Sequence, residues 1–174
     1  MAVATRVNSV VSVFFESFYR QADSFAAVQA VESAWREVGA EPEVEFQLES
    51  VPLVSHLKEK VTAAEKACSG AVCAALEAAR LVASYHRDSD PRVAEVVASA
   101  FAMALEFDRH QIEPPEGNSS WFSFESRGQA DLADRVLRGD IQPEPPAQYE
   151  LRFKAGEESM AYRRALKKWI MADR

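Results

Sequence analysis

Residues 50–107, SVPLVSHLKEKVTAAEKACSGAVCAALEAARLVASYHRDSDPRVAEVVASAFAMALEF, carry the two longest helical patterns of the chain and the one sharp break between them. Ser50 is a capping residue, and Pro52 falls in a first-turn position where a missing N–H costs nothing. Val54, Leu57, Val61, Ala64, Cys68, Ala71, Val72, Ala75 and Ala79 then recur at three- and four-residue spacing, which lays them on one narrow apolar stripe. The stripe is rich in alanine, so a second helix can approach it closely. At Asp88-Ser89-Asp90-Pro91 the pattern stops and restarts. Proline disfavours a helical residue before it and opens the next helix, with Asp90 as the cap. Val93, Val96, Val97, Ala100, Phe101, Ala104 and Leu105 line that next helix. The spacing predicts two antiparallel helices, 51–87 and 91–108, and hence a mainly α chain built as an antiparallel, four-helix-type bundle.

The flanking segments add to this frame. Asn8 to Tyr19 read as a short helix that is apolar nearly all round, through Val10, Val11, Val13, Phe14, Phe15 and Phe18; such a helix is buried in the core or against a neighbouring subunit. A second helix, with Phe25, Val28, Val31, Trp35 and Val38 on one face, stops at Gly39. Glu43 to Glu49 alternate apolar and polar residues for seven positions, the signature of a strand with an acidic outer face. After helix 91–108, residues 111–120 form a loop, and Trp121, Phe122 and Phe124 make an aromatic knot that anchors its return. A short helix at 129–138 closes on Gly139.

Gln142-Pro143-Glu144-Pro145-Pro146 reads as a stiff, extended spacer. Tyr149, Leu151 and Phe153 alternate beyond it, so 148–154 reads as a second strand pairing with 43–49. A last helix from Glu157 to Ala172 sets Met160, Ala161, Ala165, Trp169 and Ile170 against a basic face of Arg163, Arg164, Lys167 and Lys168. The expected organisation is a helical-bundle domain over 1–139 with a small β element. Residues 140–174 then supply a spacer, a short strand and an additional C-terminal helix packed on the bundle or extending from it.

The chain of 174 residues is 48% hydrophobic, enough for one well-filled core, and its net charge of −7 argues against a surface that is a basic footprint throughout. The charge is uneven. Residues 148–174 hold seven Lys or Arg against four Asp or Glu, so the acidity lies in residues 1–147. Cys68 and Cys73, five apart on one helix, face different ways and cannot bridge, which fits a reduced, intracellular protein. No stretch has the length of a membrane span and the start lacks the pattern of a signal peptide, so a cytoplasmic protein is expected.

Six glycines leave little room for phosphate-binding loops, and no serine-hydrolase elbow, zinc spacing or dinucleotide fingerprint is present. His56, His86 and His110 are far apart in sequence. Neither a metal, a cofactor nor a small-molecule substrate is expected, and catalysis is the least favoured class.

The order of features is itself informative. A short apolar helix leads to a second ending in Ala34-Trp35-Arg36, then a proline and a short strand from Pro42 to Leu48; Pro52-Leu53-Val54 opens a long helix, and helix 91–108 leads through a polar loop into Asn118-Ser119-Ser120-Trp121-Phe122-Ser123-Phe124-Glu125-Ser126. Over roughly residues 10–126 this arrangement resembles the coat proteins of rigid rod-shaped plant viruses, the tobacco mosaic virus type. The chain differs from that family in carrying Phe46-Gln47-Leu48 after the strand and in continuing well past Ser126. The resemblance implies a capsid subunit that assembles with many copies of itself into a virion. It also implies single-stranded RNA held through phosphates at the inner end of the helix pair, where Arg87 and Arg92 would neutralise phosphate with Asp88 and Asp90 orienting them. Self-association contacts are expected at Phe14, Phe15, Phe18, Trp121 and Phe122. The alternative is a non-enzymatic adaptor or regulatory domain that presents the basic face of Arg163, Arg164, Lys167 and Lys168 to a protein partner.

Overall fold

The computed structural model describes residues 2–18, 62–65, 67–68, 91–139 and 145–172. Among these the chain is mainly helical and contains no strand. Four long helices stand out: α1 (Ala2–Phe18), α2 (Pro91–Arg109), α3 (Trp121–Leu137) and α4 (Pro145–Ala172). Residues 63–65 and 67–68 are helical as well.

α1 begins six residues before its expected start. It holds five valines, Val3, Val7, Val10, Val11 and Val13, all buried. Valine costs up to about 0.7 kcal/mol in helix propensity, whereas burying its side chain contributes about 1.5 kcal/mol or more, so packing decides the conformation. The partner of α1 is chiefly α4. Where they cross, the Ser9 N–H donates to Ser159 Oγ at 3.1 Å and Ser9 Oγ donates to the Ser159 carbonyl, so the small side chains bring the backbones close.

α2 and α3 form a hairpin whose turn is fixed by side chains. α2 ends as Gln111 takes a left-handed backbone (φ 54) and the Ile112 N–H donates to the Phe107 carbonyl at 2.9 Å. Gly117, with φ 78, turns the chain back. Ser120 caps α3 by accepting from the Ser123 N–H, and the Asp108 carboxylate, reaching across from α2, accepts from the N–H groups of Trp121 (2.7 Å) and Phe122 (3.0 Å). Three otherwise unpaired donors of the helix start are thereby satisfied. The Trp121 indole donates to the Ile112 carbonyl at 3.0 Å, which ties the loop down from inside.

The core is aromatic where the helices converge. Phe107 of α2 meets Trp121 of α3 and Trp169 of α4 edge-on at 5.1 and 5.5 Å, and Trp121 stacks on Tyr162 of α4 at 4.8 Å. Edge-on and offset packing of this kind adds about 0.5–1.5 kcal/mol per pair beyond the area buried.

Several expectations are corrected. Residues 148–154, expected as a strand, lie inside α4, which starts at Pro145. Residues two apart on a helix point about 200° from each other, so the alternating set divides: Leu151 is buried, while Tyr149 and Phe153 face outward. Pro145 and Pro146, expected in an extended spacer, occupy the first turn, where no N–H is needed. α3 starts at Trp121 instead of 129, because Ser120 and Asp108 cap it there. Thr62 interrupts the expected continuous helix 51–87: it is not helical, and its Oγ1 accepts from the Glu65 N–H at 3.1 Å as a helix cap does. The strand expected at 43–49, the helix around 25–38, Cys73 and the junction at 87–90 lie outside the described residues.

Candidate functional site

Two places combine polar or exposed groups in ways that packing alone does not require. The first is internal. Arg6 of α1 is 2% exposed and lies between two carboxylates: its Nη1 donates to Glu125 Oε1 of α3 at 3.2 Å, and its Nε is 2.6 Å from Glu158 Oε2 of α4. Glu125, fully buried, also accepts from Gln129 Nε2 at 2.8 Å and from the Tyr162 hydroxyl at 2.6 Å. Burial, and then the charge and hydrogen bond of Glu125, push the Tyr162 phenol well above its ordinary value, so it stays protonated and donates. Gly128 completes the arrangement. A Cβ there would lie 1.4 Å from Arg6 Nη2 and 2.5 Å from Cζ, so only glycine leaves room for the guanidinium. The adjoining cavity, about 20 Å³, has no room for an organic substrate. The cluster ties three helices in one register.

Sequence reading started the first helix at Asn8 and so missed Arg6. The signal was present: Arg6 stands in helical register with Val3, Val7 and Val10, a charge inside an apolar stripe, and Glu125 stands four residues from Trp121.

The second place is the outward face of α4. Tyr149 is 66%, Phe153 70%, Met160 48% and Met171 78% exposed, at spacings that keep them on one side of the helix. With Thr5 of α1, the first three line an open groove of about 610 Å³ together with Arg152, Gly156 and Glu157. The opposite side of α4, through Leu151, Ala155, Tyr162, Leu166 and Trp169, is buried. The N-terminal half is clamped to α3 by ion pairs from Lys154 to Asp131 (2.5 Å) and from Arg135 to Glu150 (2.9 Å). The Lys154 hydrogen bond holds the Asp131 carboxyl below its ordinary value.

The residues singled out by sequence fall in different places. Phe14 and Trp121 are buried inside the subunit, where a second copy cannot reach them without opening the core. Phe122 is half exposed and packs on Phe101 at 5.3 Å. Phe15 and Phe18 belong to the last turns of α1, and Arg92 to the first turn of α2; their side chains, like the whole of Arg87, lie outside the described set. The basic face is partly neutralised: Arg163 lies 4.0 Å from Glu16 and Lys168 3.3 Å from Glu113. Arg164 and Lys167 have no acidic partner among the described residues. Cys68 is buried and burial pushes its thiol far up, which makes it an inert core residue. Among the described residues no group of His, Cys, Asp or Glu is arranged to hold a metal ion, and no helix is long and apolar enough to cross a membrane.

No protein-family model, no curated protein and no solved structure matches this chain.

Proposed function

We propose that the protein is a non-enzymatic structural subunit that works by associating with copies of itself. The observation that carries this reading is the outward face of α4, where four large apolar side chains stand in water on a helix whose other side is fully packed. The buried ionic cluster fits the non-enzymatic part: the Glu125 carboxylate and the Tyr162 phenol are fully buried and hydrogen-bonded to each other. The specific form implied by the sequence resemblance is the coat subunit of a helical, rod-shaped virion, with single-stranded RNA bound through phosphates by Arg87 and Arg92. Light scattering on size-exclusion fractions, with and without single-stranded RNA at low salt, tests both levels. Dimers or larger species support self-association, and broad, sequence-tolerant RNA binding lost on replacing Arg87 and Arg92 with glutamine supports the coat form.

One observation favours a second reading. Arg164 and Lys167 are cations without an acidic partner among the described residues, on the same helix as the apolar face. A cytoplasmic adaptor presenting α4 to an acidic partner would use them. Replacing Arg164 with glutamine separates the readings, because it weakens the adaptor's hold on an acidic partner while self-association of the apolar face survives.

A further inference from the structure

Resting on the self-association reading, we infer that the outward stripe of α4 is the self-complementary seam of a two-fold pair, with α4 of one copy lying antiparallel to α4 of a second about an axis at Met160. The stripe is symmetric in position about that residue. Tyr149 and Met171 lie eleven residues to either side, Phe153 and Lys167 seven, and Glu157 and Arg163 three. A two-fold axis brings each residue against the one at the opposite offset in its mate.

Every such meeting is chemically matched. The Phe153 ring receives the ammonium of the partner's Lys167 on its face, an attraction that grows as water is excluded. The Glu157 carboxylate meets the guanidinium of the partner's Arg163, and Tyr149 meets the thioether of the partner's Met171. Met160, on the axis, meets its own counterpart. Gly156 has no neighbouring atom within 4 Å of where a Cβ would stand, so the seam has an open notch beside its centre for a side chain of the mate.

A parallel pair would set Glu157 against Glu157, Arg163 against Arg163 and Lys167 against Lys167, so like charges exclude that orientation. The groups are also free to make these contacts. Glu157 and Lys167 have no ion-pair partner among the described residues, and Arg163 has only Glu16, at 4.0 Å. Glu157 and Arg163 are six residues apart, which puts them out of reach of each other on one helix. Complementarity between them is therefore usable only between copies.

Sedimentation velocity on the full chain, from micromolar to near-millimolar concentration, tests the seam. The wild type should form a reversible dimer; Phe153→Glu and Glu157→Arg should each weaken it by roughly tenfold or more, and Glu157→Arg combined with Arg163→Glu should restore it. Phe153 and Glu157 face solvent and Arg163 is partly exposed beside Glu16, so circular dichroism should stay unchanged for all variants, and melting at dilute, monomeric concentration should stay unchanged for Phe153→Glu and Glu157→Arg. The register has its own test in a Cys73→Ser background. Met160→Cys should oxidise to a covalent dimer, whereas Phe153→Cys should not, because its mate would lie 14 residues away along the axis, about 21 Å. A wild type that is monomeric throughout overturns both self-association and the seam. A wild type that associates, but is indifferent to the charge exchange or crosslinks through Phe153→Cys as readily as through Met160→Cys, overturns the seam and leaves self-association standing.

Discussion

Gly128 and Gly156 are both helical, yet they predict opposite effects for the same substitution. Alanine in a helix interior is ordinarily better than glycine by about 1 kcal/mol. At Gly156 nothing in the same subunit opposes this gain, and Gly156→Ala should raise the stability of the dilute, monomeric protein by about that amount. At Gly128 the new Cβ would fall 1.4 Å from Arg6 Nη2, so the buried guanidinium must leave Glu125 and Glu158. Breaking a buried ion pair costs about 3–5 kcal/mol, which outweighs the propensity gain, and Gly128→Ala should lose about 3 kcal/mol in urea denaturation. Tyr162 gives a pH test of the same cluster. Its folded-state pKa is raised above the unfolded value of about 10, so it contributes no pH dependence below that value. As pH rises from about 10 toward the folded pKa, the unfolded chain loses the proton that the native state keeps, and stability falls. Tyr162→Phe should flatten that alkaline loss. At neutral pH it should cost about 2 kcal/mol, because Glu125 loses a donor in a buried site. Denaturation midpoints at about pH 8 and about pH 11 separate the two effects.

The elements differ in how far the sequence revealed them, and the reasons are physical. α2 was readable to within a residue because Pro91 starts it and its apolar period is unbroken. α3 was readable only in its second half: its start depends on Asp108, thirteen residues upstream of Trp121, and a cap supplied from another helix leaves no local signal. Asp108→Ala should therefore unseat the start of α3 and cost about 1–2 kcal/mol. In hydrogen exchange the N–H groups of Trp121 and Phe122 should lose protection while the middle of α2 keeps its own. In α4, three alternating apolar residues look like a half-buried strand, and only tertiary packing shows that Leu151 alone points inward. The outward stripe was hidden for the same reason. The sequence pattern puts Tyr149 and Phe153 in a strand and Met160 in a separate helix, so their shared face emerges only once a single helix runs from Pro145 to Ala172.

For the whole molecule, charge gives self-association and the binding of a polyanion opposite salt dependences. Each subunit carries a net charge of −7, concentrated outside α4. Bringing two such bodies together costs repulsion that acts over about 10 Å at 0.1 M salt and about 30 Å at 0.01 M. The seam itself contributes short-range, partly desolvated contacts that screening weakens little. Self-association should therefore weaken as salt is lowered across that range. Lowering salt has the opposite effect on a polyanion or acidic partner held by the basic end of α4. For single-stranded RNA contacted by Arg164 and Lys167 alone, the logarithm of affinity should fall against the logarithm of salt with a slope of about −1.4, roughly 0.7 for each phosphate. Sedimentation for the self-association constant and fluorescence anisotropy for RNA, run on one protein over the same salt series, measure both. Self-association that strengthens as salt falls would mean that opposite charges between copies outweigh the acidic body, and would shift the weight of the seam from Phe153 and Met160 to Glu157 and Arg163. An RNA slope much steeper than two contacts allow would place further cations on the RNA, with Arg87 and Arg92 the first to replace.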